Sequence, residues 1–379
     1  MIEPKYFFDQ LLKNNTDFFA GVPDSLLKSF CAYVTDNVDK NAHFISANEG
    51  SAIALAAGYN IATGKIPLVY MQNSGIGNSI NPLLSLVDPD VYNIPLVLVI
   101  GWRGEPGVHD EPQHVKQGKV TLSLLDTIGI PYAIMAENEN DLDAQISECY
   151  SYIKKTNAPF AFVVRKDTFA SYTLSNELML PAEMSREEAI EMVILDSSRD
   201  DIFVSTTGMA SRELYELREK HAMTHESDFL TVGSMGHASQ IALSIALQKP
   251  ERRIICIDGD GAAIMHMGGF TTIGTRKPEN FVHILINNGA HDSVGGQPTV
   301  ALEIDMPEIA LACGYSRVYS VSTKKQLEDA LSNKRKGTTL IEIKTRKGSR
   351  KDLGRPKETP IQNKNALMNA INMKLRNIK

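Results

Sequence analysis

The sequence predicts an α/β protein built from two parallel-sheet domains that a short linker joins. Short apolar runs alternate with helix-length segments along both halves of the chain. This pattern is typical of parallel sheets whose strands are covered by helices on both faces. Between the halves, residues 169–184 break the periodicity. We therefore expect domains at residues 1–168 and 185–379, with residues 169–184 as the linker.

The bulk composition excludes several classes of protein. Of the 379 residues, 43% are hydrophobic and 22% are charged, which is the composition of a soluble protein with an ample core. The net charge of −6 provides no global basic field for nucleic acid or an anionic membrane. No apolar run is long enough to span a bilayer, and the N-terminus lacks a secretory layout. The four cysteines have no metal-binding spacing and predict reduced thiols in a cytoplasmic protein.

The first half supplies strands that end in polar or glycine-containing turns. Strands are predicted at residues 17–21, 43–46, 67–71, 95–100, 131–135 and 160–165, the last of which should close the first sheet. Glu49 follows the second strand and begins an Ala-rich helix, where a carboxylate makes a favourable dipole contact. The small residues of that helix predict close packing against a sheet or another subunit.

A polar loop, GWRGEPGVHDEPQH, follows the strand at residues 95–100. Loops of this kind often carry function, and its two histidines and neighbouring carboxylates can serve acid–base steps. The alternative is a solvated loop with a capping role. Metal binding by the two histidines is not expected without a clearer set of ligands.

The second half begins with a capping box, Ser185 to Glu188. A predicted strand at residues 202–205 leads to TTGMASRE, whose hydroxyls and turn amides either bind diphosphate oxygens or form an ordinary helix cap. Another apolar run, Ile254 to Ile257, ends in Asp-Gly-Asp-Gly, and Phe281 to Ile286 ends in Asn-Asn. A spacer of 25 residues, long enough for a helix and a strand, separates the two motifs.

These two motifs predict a site for Mg²⁺ and a diphosphate. Mg²⁺ prefers oxygen ligands and is usually held by one or two protein oxygens plus substrate phosphates. Asp260 offers a carboxylate and Asn288 an amide oxygen, and both should lie at the carboxyl ends of neighbouring strands, where open α/β sheets bind ligands. The amides after Gly261 would meet the phosphate charge at a helix N-terminus. Asp258 is expected to pack or cap. The alternative is a pair of unrelated turns.

The spaced GDG and NN motifs, together with NEGSAIALAAGYNIATGK, resemble the thiamine diphosphate enzymes of the pyruvate decarboxylase and acetolactate synthase superfamily. The resemblance implies an N-terminal pyrimidine-binding domain and a C-terminal diphosphate-binding domain. The usual central domain is expected to be absent, because the linker is too short to hold one. The implied cofactors are thiamine diphosphate and Mg²⁺, and the implied assembly is a dimer or larger with the active site between subunits.

The resemblance also implies roles for individual residues. Asp260, Asn288 and the backbone carbonyl of Ala290 would bind Mg²⁺. Glu49 would hydrogen-bond N1′ of the aminopyrimidine, and Met235 would prop the cofactor into its V shape. The full set of expected cofactor contacts is Glu49, Asn73, Gly75, Ile76, Gly208, Ser211, Gly233, Met235, Gly259, Asp260, Gly261, Ala262 and Asn288.

Several fragments, among them GVPDSLL, GSMGHAS and DLGRPKETPIQNK, resemble the phosphonopyruvate decarboxylases, with the sulfopyruvate decarboxylases next. The implied substrate is a small anionic 2-oxo acid, 3-phosphonopyruvate, which would yield phosphonoacetaldehyde and CO₂. Besides Glu49, the candidates for proton transfer are Asp24, His109 and His114. The candidates for binding the substrate are Ser25, Arg103, Arg350 and Arg355.

Three alternatives remain open from the sequence. The basic tail that contains Arg350 and Arg355 is either a solvated face or a phosphonate-binding element. The substrate is either phosphonopyruvate or sulfopyruvate or another 2-oxo acid. The chain could also be a non-catalytic regulatory subunit, which is disfavoured because Glu49, Asp260 and Asn288 all occur in one chain.

Overall fold

The computed structural model describes residues 1–175, 182–333 and 335–372. The chain forms two compact units, one of Met1–Glu177 with His291–Pro298 and the other of Leu178–Ala290 with Thr299–Lys379. This grouping differs from the predicted second domain, 185–379, in the segment His291–Pro298. That segment lies within the first unit, where the Gln297 amide donates a 3.4 Å hydrogen bond to the carbonyl of Lys28.

The first unit is a parallel sheet with helices between its strands. Its elements are α1 (Pro4–Lys13), β1 (Phe19–Gly21), α2 (Lys28–Asn37), β2 (His43–Ile45), α3 (Glu49–Thr63), β3 (Leu68–Gln72), α4 (Ile76–Ser85), β4 (Val97–Gly101), α5 (Pro112–Thr127), β5 (Tyr132–Ile134), α6 (Glu139–Thr156) and β6 (Phe160–Val164). The strand order is β2-β1-β3-β4-β6-β5, and each pairing is parallel. The prediction that residues 160–165 close this sheet is wrong, because β5 pairs outside β6.

The second unit has the same architecture. Its elements are α7 (Arg186–Asp196), β7 (Ile202–Ser205), α8 (Met209–Lys220), β8 (Asp228–Leu230), α9 (Ala238–Gln248), β9 (Ile254–Gly259), α10 (Asp260–Met265), α11 (Gly269–Arg276), β10 (Phe281–Asn287), α12 (Met306–Cys313), β11 (Arg317–Val321), α13 (Lys324–Ser332), β12 (Thr339–Lys344) and α14 (Pro360–Asn372). Its strand order is β8-β7-β9-β10-β12-β11, again with parallel pairings. Numbered within its own half, each sheet has the order 2-1-3-4-6-5. The predicted α/β fold with two parallel sheets is confirmed.

Successive side chains of a strand point to opposite faces of its sheet. In both sheets, the side chains of the central strands are buried on both faces. In β4, Val97 and Val99 belong to one apolar cluster of the first unit, and Leu98 and Ile100 belong to the other. The second unit is built in the same way, with one cluster on each face of its sheet. The central strands therefore leave polar groups accessible mainly at their ends, where the connecting turns lie.

The predicted linker is packed at both of its described ends. Phe169 is buried in the first unit and stacks on Phe30, with ring centroids 5.5 Å apart. Met184 is buried in the core of the second unit, and Ser185 caps α7 through the predicted capping box. Residues 176–181 of the predicted linker lie outside the described residues.

No helix in the described ranges combines the length and the apolar character that a membrane span requires.

Candidate active site

Glu49 lies at the carboxyl edge of the first sheet, directly after β2. The side chain of Asn48 caps α3 by accepting a hydrogen bond from the amide of Ser51, which fixes Glu49 in the first turn of the helix. The carboxylate is only 5% exposed. The amide of Asn78 donates a 2.7 Å hydrogen bond to its Oε2 atom. A buried carboxylate is thus held at the position that the sequence predicts for the proton-transfer group.

The turn after β3 contacts this carboxylate. A side chain at Gly75 would place its Cβ atom 2.4 Å from Glu49 Oε1, so only glycine fits there. Ile76 is buried in the core, and Asn73 donates to the carbonyl of Arg103 at 2.8 Å and to the hydroxyl of Thr121 at 2.9 Å. The described contacts of Asn73 and Ile76 are therefore structural, and their predicted cofactor contacts stay predictions.

Asp24 follows β1 and is fully buried. Its carboxylate accepts hydrogen bonds from Gln72 Nε2 at 2.6 Å and from the amide of Leu26 at 2.9 Å. Gly101 leaves room for it, because a Cβ atom there would lie 2.1 Å from Asp24 Oδ2. Burial raises the pKa of Asp24 above its ordinary value, although the hydrogen bonds from Gln72 and Leu26 oppose this shift. The group therefore keeps its proton to a higher pH than an exposed aspartate does.

Arg103 follows β4 and forms a fork-shaped contact with Asp110. Its Nε atom donates to Asp110 Oδ2 at 2.8 Å, Nη2 donates to the other carboxylate oxygen, and Nη1 donates to the hydroxyl of Ser25 at 2.7 Å. Burial of the Asp110 carboxyl opposes its ionisation, but the hydrogen bonds from Arg103 and from backbone amides outweigh burial and lower the pKa of Asp110. The guanidinium is thus fixed in place beside Ser25.

The two histidines of the same loop have different environments. His109 is exposed, whereas His114 is buried near the start of α5. Burial, assisted by the positive charge of Arg103, lowers the pKa of His114 to about 4, so its imidazole is neutral at pH 7. The two residues are not distinguishable from the sequence alone, since both lie in the same polar loop.

In the second unit, Asp260 and Asn288 follow the adjacent strands β9 and β10 and are both buried. Thr299 links their turns: its hydroxyl donates to Asp260 Oδ2 at 2.7 Å and its amide donates to the carbonyl of Gly289 at 3.0 Å. The side-chain oxygen of Asn288 accepts from the amide of Ala290 at 3.1 Å. A carboxylate, an amide oxygen and the Ala290 carbonyl form an all-oxygen set of donors, which fits a hard cation such as Mg²⁺.

Asn287, the first residue of the Asn-Asn pair, stabilises the turn through hydrogen bonds to buried groups. Its Nδ2 atom donates to Glu342 Oε1 on β12 at 2.7 Å and to the carbonyl of Ala301 at 3.1 Å. The other oxygen of Glu342 accepts from the hydroxyl of Ser320 on β11 at 2.6 Å. Glu342 is 3% exposed, and Asn287 is fully buried. Three neighbouring strands therefore hold the turn that carries Asn288.

Asp258 packs within the sheet, as the sequence predicts. It is buried beside His283, with 3.4 Å between Asp258 Oδ2 and His283 Nε2, and its Oδ1 accepts from the amide of Gly259. His283 Nδ1 lies 3.1 Å from the hydroxyl of Tyr315. Asp258 is therefore surrounded by side chains of the core.

Two turns flank the Asp260 position at the same sheet edge. Gly208 has a φ of +97° between β7 and α8, and the hydroxyl of Thr207 accepts from the amide of Gly233 at 3.0 Å. The hydroxyl of Ser211 donates to the carbonyl of Thr206 at 2.7 Å, which caps its own turn. Gly259, Gly261 and Ala262 form the start of α10.

Met235 lies in the turn after β8 and is partly exposed, outside the core. Left-handed backbone conformations at Gly233, Ser234 and Gly236 surround it. A Cβ atom at Gly236 would lie 2.9 Å from the carbonyl of Ala262, so this turn packs directly against α10. The predicted contact of Met235 with the cofactor stays a prediction.

Arg350 of the basic tail forms ion pairs with acidic residues of its own unit. Arg350 pairs with Glu187 on α7 at 3.0 Å, with Glu216 on α8, and with Asp352 at 3.3 Å. Arg212 holds the tail by donating to the carbonyls of Leu353 and Gly354. Arg350 and Arg355 line a cavity of about 910 Å³ together with Glu187, Glu188, Glu191, Glu216 and Glu219. A phosphonate at Arg350 would have to compete with these carboxylates.

Two family models match the chain. The thiamine pyrophosphate enzyme N-terminal domain matches residues 4–125, and the thiamine pyrophosphate enzyme C-terminal domain matches residues 204–343. The chain is 34% identical to the phosphonopyruvate decarboxylase of Streptomyces viridochromogenes, and the match covers 90% of this chain and 88% of that protein. The chain belongs to the phosphonopyruvate decarboxylase family of thiamine pyrophosphate enzymes.

Two further relatives place the chain within this family. The phosphonopyruvate decarboxylase of Streptomyces hygroscopicus is also 34% identical, over 90% of this chain and 87% of that protein. The sulfopyruvate decarboxylase of Methanosarcina acetivorans is 29% identical, over 87% of each chain. The predictions of thiamine diphosphate (thiamine pyrophosphate) as cofactor and of a decarboxylase are confirmed by the family.

Several residues with clear contacts in the site were given no role by the sequence analysis: Gln72, Asn78, Thr299 and Glu342. Their contacts link turns that are 29 residues apart for Asn78 and Glu49 and 55 residues apart for Asn287 and Glu342. Glu342 alone left a signal, as the one charged residue before the final lysine of the apolar strand TLIEIK. An isolated carboxylate in a buried strand needs a partner.

Proposed function

We propose that the chain catalyses the decarboxylation of 3-phosphonopyruvate to phosphonoacetaldehyde and CO₂, with thiamine diphosphate and Mg²⁺. The observation that carries the proposal is that one chain contains both halves of a cofactor site. The buried Glu49 carboxylate lies at one sheet edge, and the oxygen donors of Asp260 and Asn288 lie at the other. The substrate is proposed from the two Streptomyces relatives, at 34% identity, against 29% for the sulfopyruvate enzyme.

The proposed roles of the second unit concern the metal and the diphosphate. Asp260, Asn288 and the Ala290 carbonyl would hold Mg²⁺, and the turns at Gly208 and Gly261 would present amides to the diphosphate. The chemistry that thiamine diphosphate supplies when bound is an electron sink for cleavage of the carbon–carbon bond. The first unit would supply the proton transfers, beginning with Glu49, which would hold a proton at N1′ of the aminopyrimidine.

Asp24 and His114 are proposed as the groups that move protons on the substrate side. Burial raises the pKa of Asp24, so its carboxyl can hold and donate a proton at a higher pH than an exposed aspartate. The lowered pKa of His114, about 4, makes it a neutral donor or acceptor. His109 is exposed and lacks this preorganisation, so we assign it a lesser role.

Arg103 and Ser25 are proposed to bind the phosphonate. Ser25 accepts from Arg103 through its oxygen, which leaves its hydroxyl hydrogen to donate to an anionic oxygen. Asp110 fixes the guanidinium and forms a pair with it, so the net attraction for an anion is local and short in range. Arg350 and Arg355 remain the weaker candidates, because the carboxylates around them already balance their charge.

A homo-oligomer is proposed as the active form, with the cofactor bound by the first domain of one subunit and the second domain of its partner. Leu55 and Ile61 on α3 and Leu84 on α4 are exposed apolar side chains, which a second copy would cover. Sedimentation at several concentrations tests this; a monomer with full activity would overturn it. A cytoplasmic location is supported by four cysteines that are all free thiols.

The deciding experiment is CO₂ release by the purified chain with thiamine diphosphate and Mg²⁺. Phosphonopyruvate, sulfopyruvate and pyruvate should be compared at equal concentrations. Fast turnover of phosphonopyruvate alone is the expected result. Turnover of another 2-oxo acid would overturn the substrate but keep the decarboxylase. No turnover of any of them, despite bound cofactor, would favour a regulatory subunit.

A further inference from the structure

The contact between the first turns of α3 and α4 is unusually close, and two glycines make it possible. A Cβ atom at Gly50 on α3 would lie 2.8 Å from the carbonyl of Asn78, and a Cβ atom at Gly75 would lie 2.4 Å from Glu49 Oε1. Each glycine therefore removes the side chain that would otherwise keep the two turns apart. Asn78 and Glu49 are brought together by this close backbone approach.

The hydrogen bond between these residues has only one possible polarity. Asn78 Nδ2 donates to Glu49 Oε2 at 2.7 Å, because a side-chain amide nitrogen carries hydrogens and does not accept. Among the hydrogen bonds of the described residues, this is the one made to the Glu49 carboxylate. It fixes Oε2 and leaves Oε1, on the Gly75 side, to accept from a further donor.

We propose that Asn78 is a positioning residue for Glu49: its amide holds one carboxylate oxygen so that the other is presented to the cofactor. The inference rests on the proposed function, in which Glu49 acts on the aminopyrimidine. Asn78 lies 29 residues from Glu49, and its carbonyl is fixed against Gly50. The orientation of the side chain is therefore set by the packing of the two helices.

A role in packing alone is the competing explanation. It is separable because packing depends on the volume of residue 78, whereas positioning depends on its donor. Asn78→Leu keeps the approximate volume and removes the donor. Asn78→Asp keeps the shape but replaces the donor with a second carboxylate beside Glu49, which like-charge repulsion disfavours.

The test compares Asn78→Leu, Asn78→Asp and Asn78→Ala with Glu49→Gln and with a control, Asn81→Ala. Asn81 is exposed on the same helix, and its side-chain oxygen accepts a 2.9 Å hydrogen bond from the hydroxyl of Ser85. The readouts are the rate at which the C2 proton of bound thiamine diphosphate exchanges for deuterium, the dissociation constant of the cofactor, and kcat against KM. Thermal unfolding shows that each variant is folded.

For Asn78→Leu we expect exchange and kcat to fall by about tenfold, the effect of losing one hydrogen bond to a charged group. KM and cofactor affinity should stay within about threefold of the wild-type values, and Asn78→Asp should be slower than Asn78→Leu. Wild-type exchange in Asn78→Leu, or an Asn78→Asp variant faster than Asn78→Leu, would overturn the proposal. If Asn78→Ala or Asn78→Leu fails to fold, the comparison of Asn78→Asp with the wild type decides. Slower exchange in Asn78→Asp would support the proposal, and exchange at the wild-type rate would overturn it.

Glu49→Gln distinguishes a failure of the Asn78 role from a failure of the proposed function. Slow exchange in Glu49→Gln with normal exchange in every Asn78 variant would remove only the role of Asn78. Normal exchange in Glu49→Gln would instead contradict the proposed function.

Discussion

The two sheets of this protein have the same strand order, 2-1-3-4-6-5 within each half, yet their carboxyl edges carry different chemistry. The first edge holds titratable side chains with shifted pKa values, including Asp24 and His114. The second edge holds oxygen donors, Asp260 and Asn288, on turns that neighbouring strands fix. The comparison teaches that one scaffold carries titratable groups in one copy and oxygen donors in the other, according to the turns that follow its strands.

The largest expected effect is that of Glu49→Gln, which tests whether proton transfer belongs to the first edge. Turnover should fall by about 10³-fold, in the range of lost acid–base catalysis, because glutamine cannot take up a proton. The dissociation constant of thiamine diphosphate with Mg²⁺, measured by calorimetry, should change by less than about threefold. A large loss of binding would mean that the division between the edges is wrong.

Asp260→Asn should show the opposite pattern. Replacing the carboxylate with a neutral amide removes the charge that a hard cation prefers, so cofactor binding in the presence of Mg²⁺ should weaken by about 100-fold or more. Chelation of Mg²⁺ in the wild-type protein should have the same effect, and the variant should show little additional response to the chelator. Calorimetric titration measures both, with Asp329→Asn as a control, because Asp329 is an exposed residue of α13 that pairs with Lys325 on the surface.

Arg103→Lys sharpens the assignment within the first edge. Lysine carries the charge but cannot form the forked contact with Asp110, so the cation would no longer be fixed beside Ser25. KM for phosphonopyruvate should rise by about tenfold with a smaller change in kcat. Equal KM values for the two proteins would exclude Arg103 from substrate binding.

The buried carboxyl of Asp24 should make the free energy of unfolding depend on pH. Because burial raises its pKa, the folded state binds a proton that the unfolded state has released between pH 3.8 and the raised value. The free energy of unfolding contributed by this group therefore falls as the pH rises through that interval. Urea unfolding from pH 3.5 to 7 should show that Asp24→Asn lacks this fall relative to the wild type. Parallel pH profiles for the two proteins would contradict the prediction.

The smallest effect is expected for Arg350→Ala and Arg355→Ala. Both side chains lie among the glutamates of α7 and α8, which already balance their charge. KM for phosphonopyruvate should change by less than about twofold, as for a surface ion pair. A marked rise in KM would restore the basic tail as a phosphonate-binding element.

The regular elements and the main turns were predictable from the sequence, because they depend on local patterns. The capping box at Ser185 and the strand before Asp260 are determined by neighbouring residues, and both are found where predicted. The position of β5 outside β6 was not predictable, because strand order depends on contacts distant in sequence. For the same reason the sequence did not reveal that Arg350 faces Glu187, or that His114 is buried and His109 exposed.

The contact between Asn287 and Glu342 has a consequence for how the protein is made. The turn that carries Asn288 is held by a strand that a ribosome synthesises 55 residues later. Until β12 has joined the sheet, the oxygen donors at Asn288 and Ala290 lack their support, although every one of them has already been translated. Cofactor loading should therefore follow completion of the second sheet, and a nascent chain that ends before residue 339 should not retain the metal.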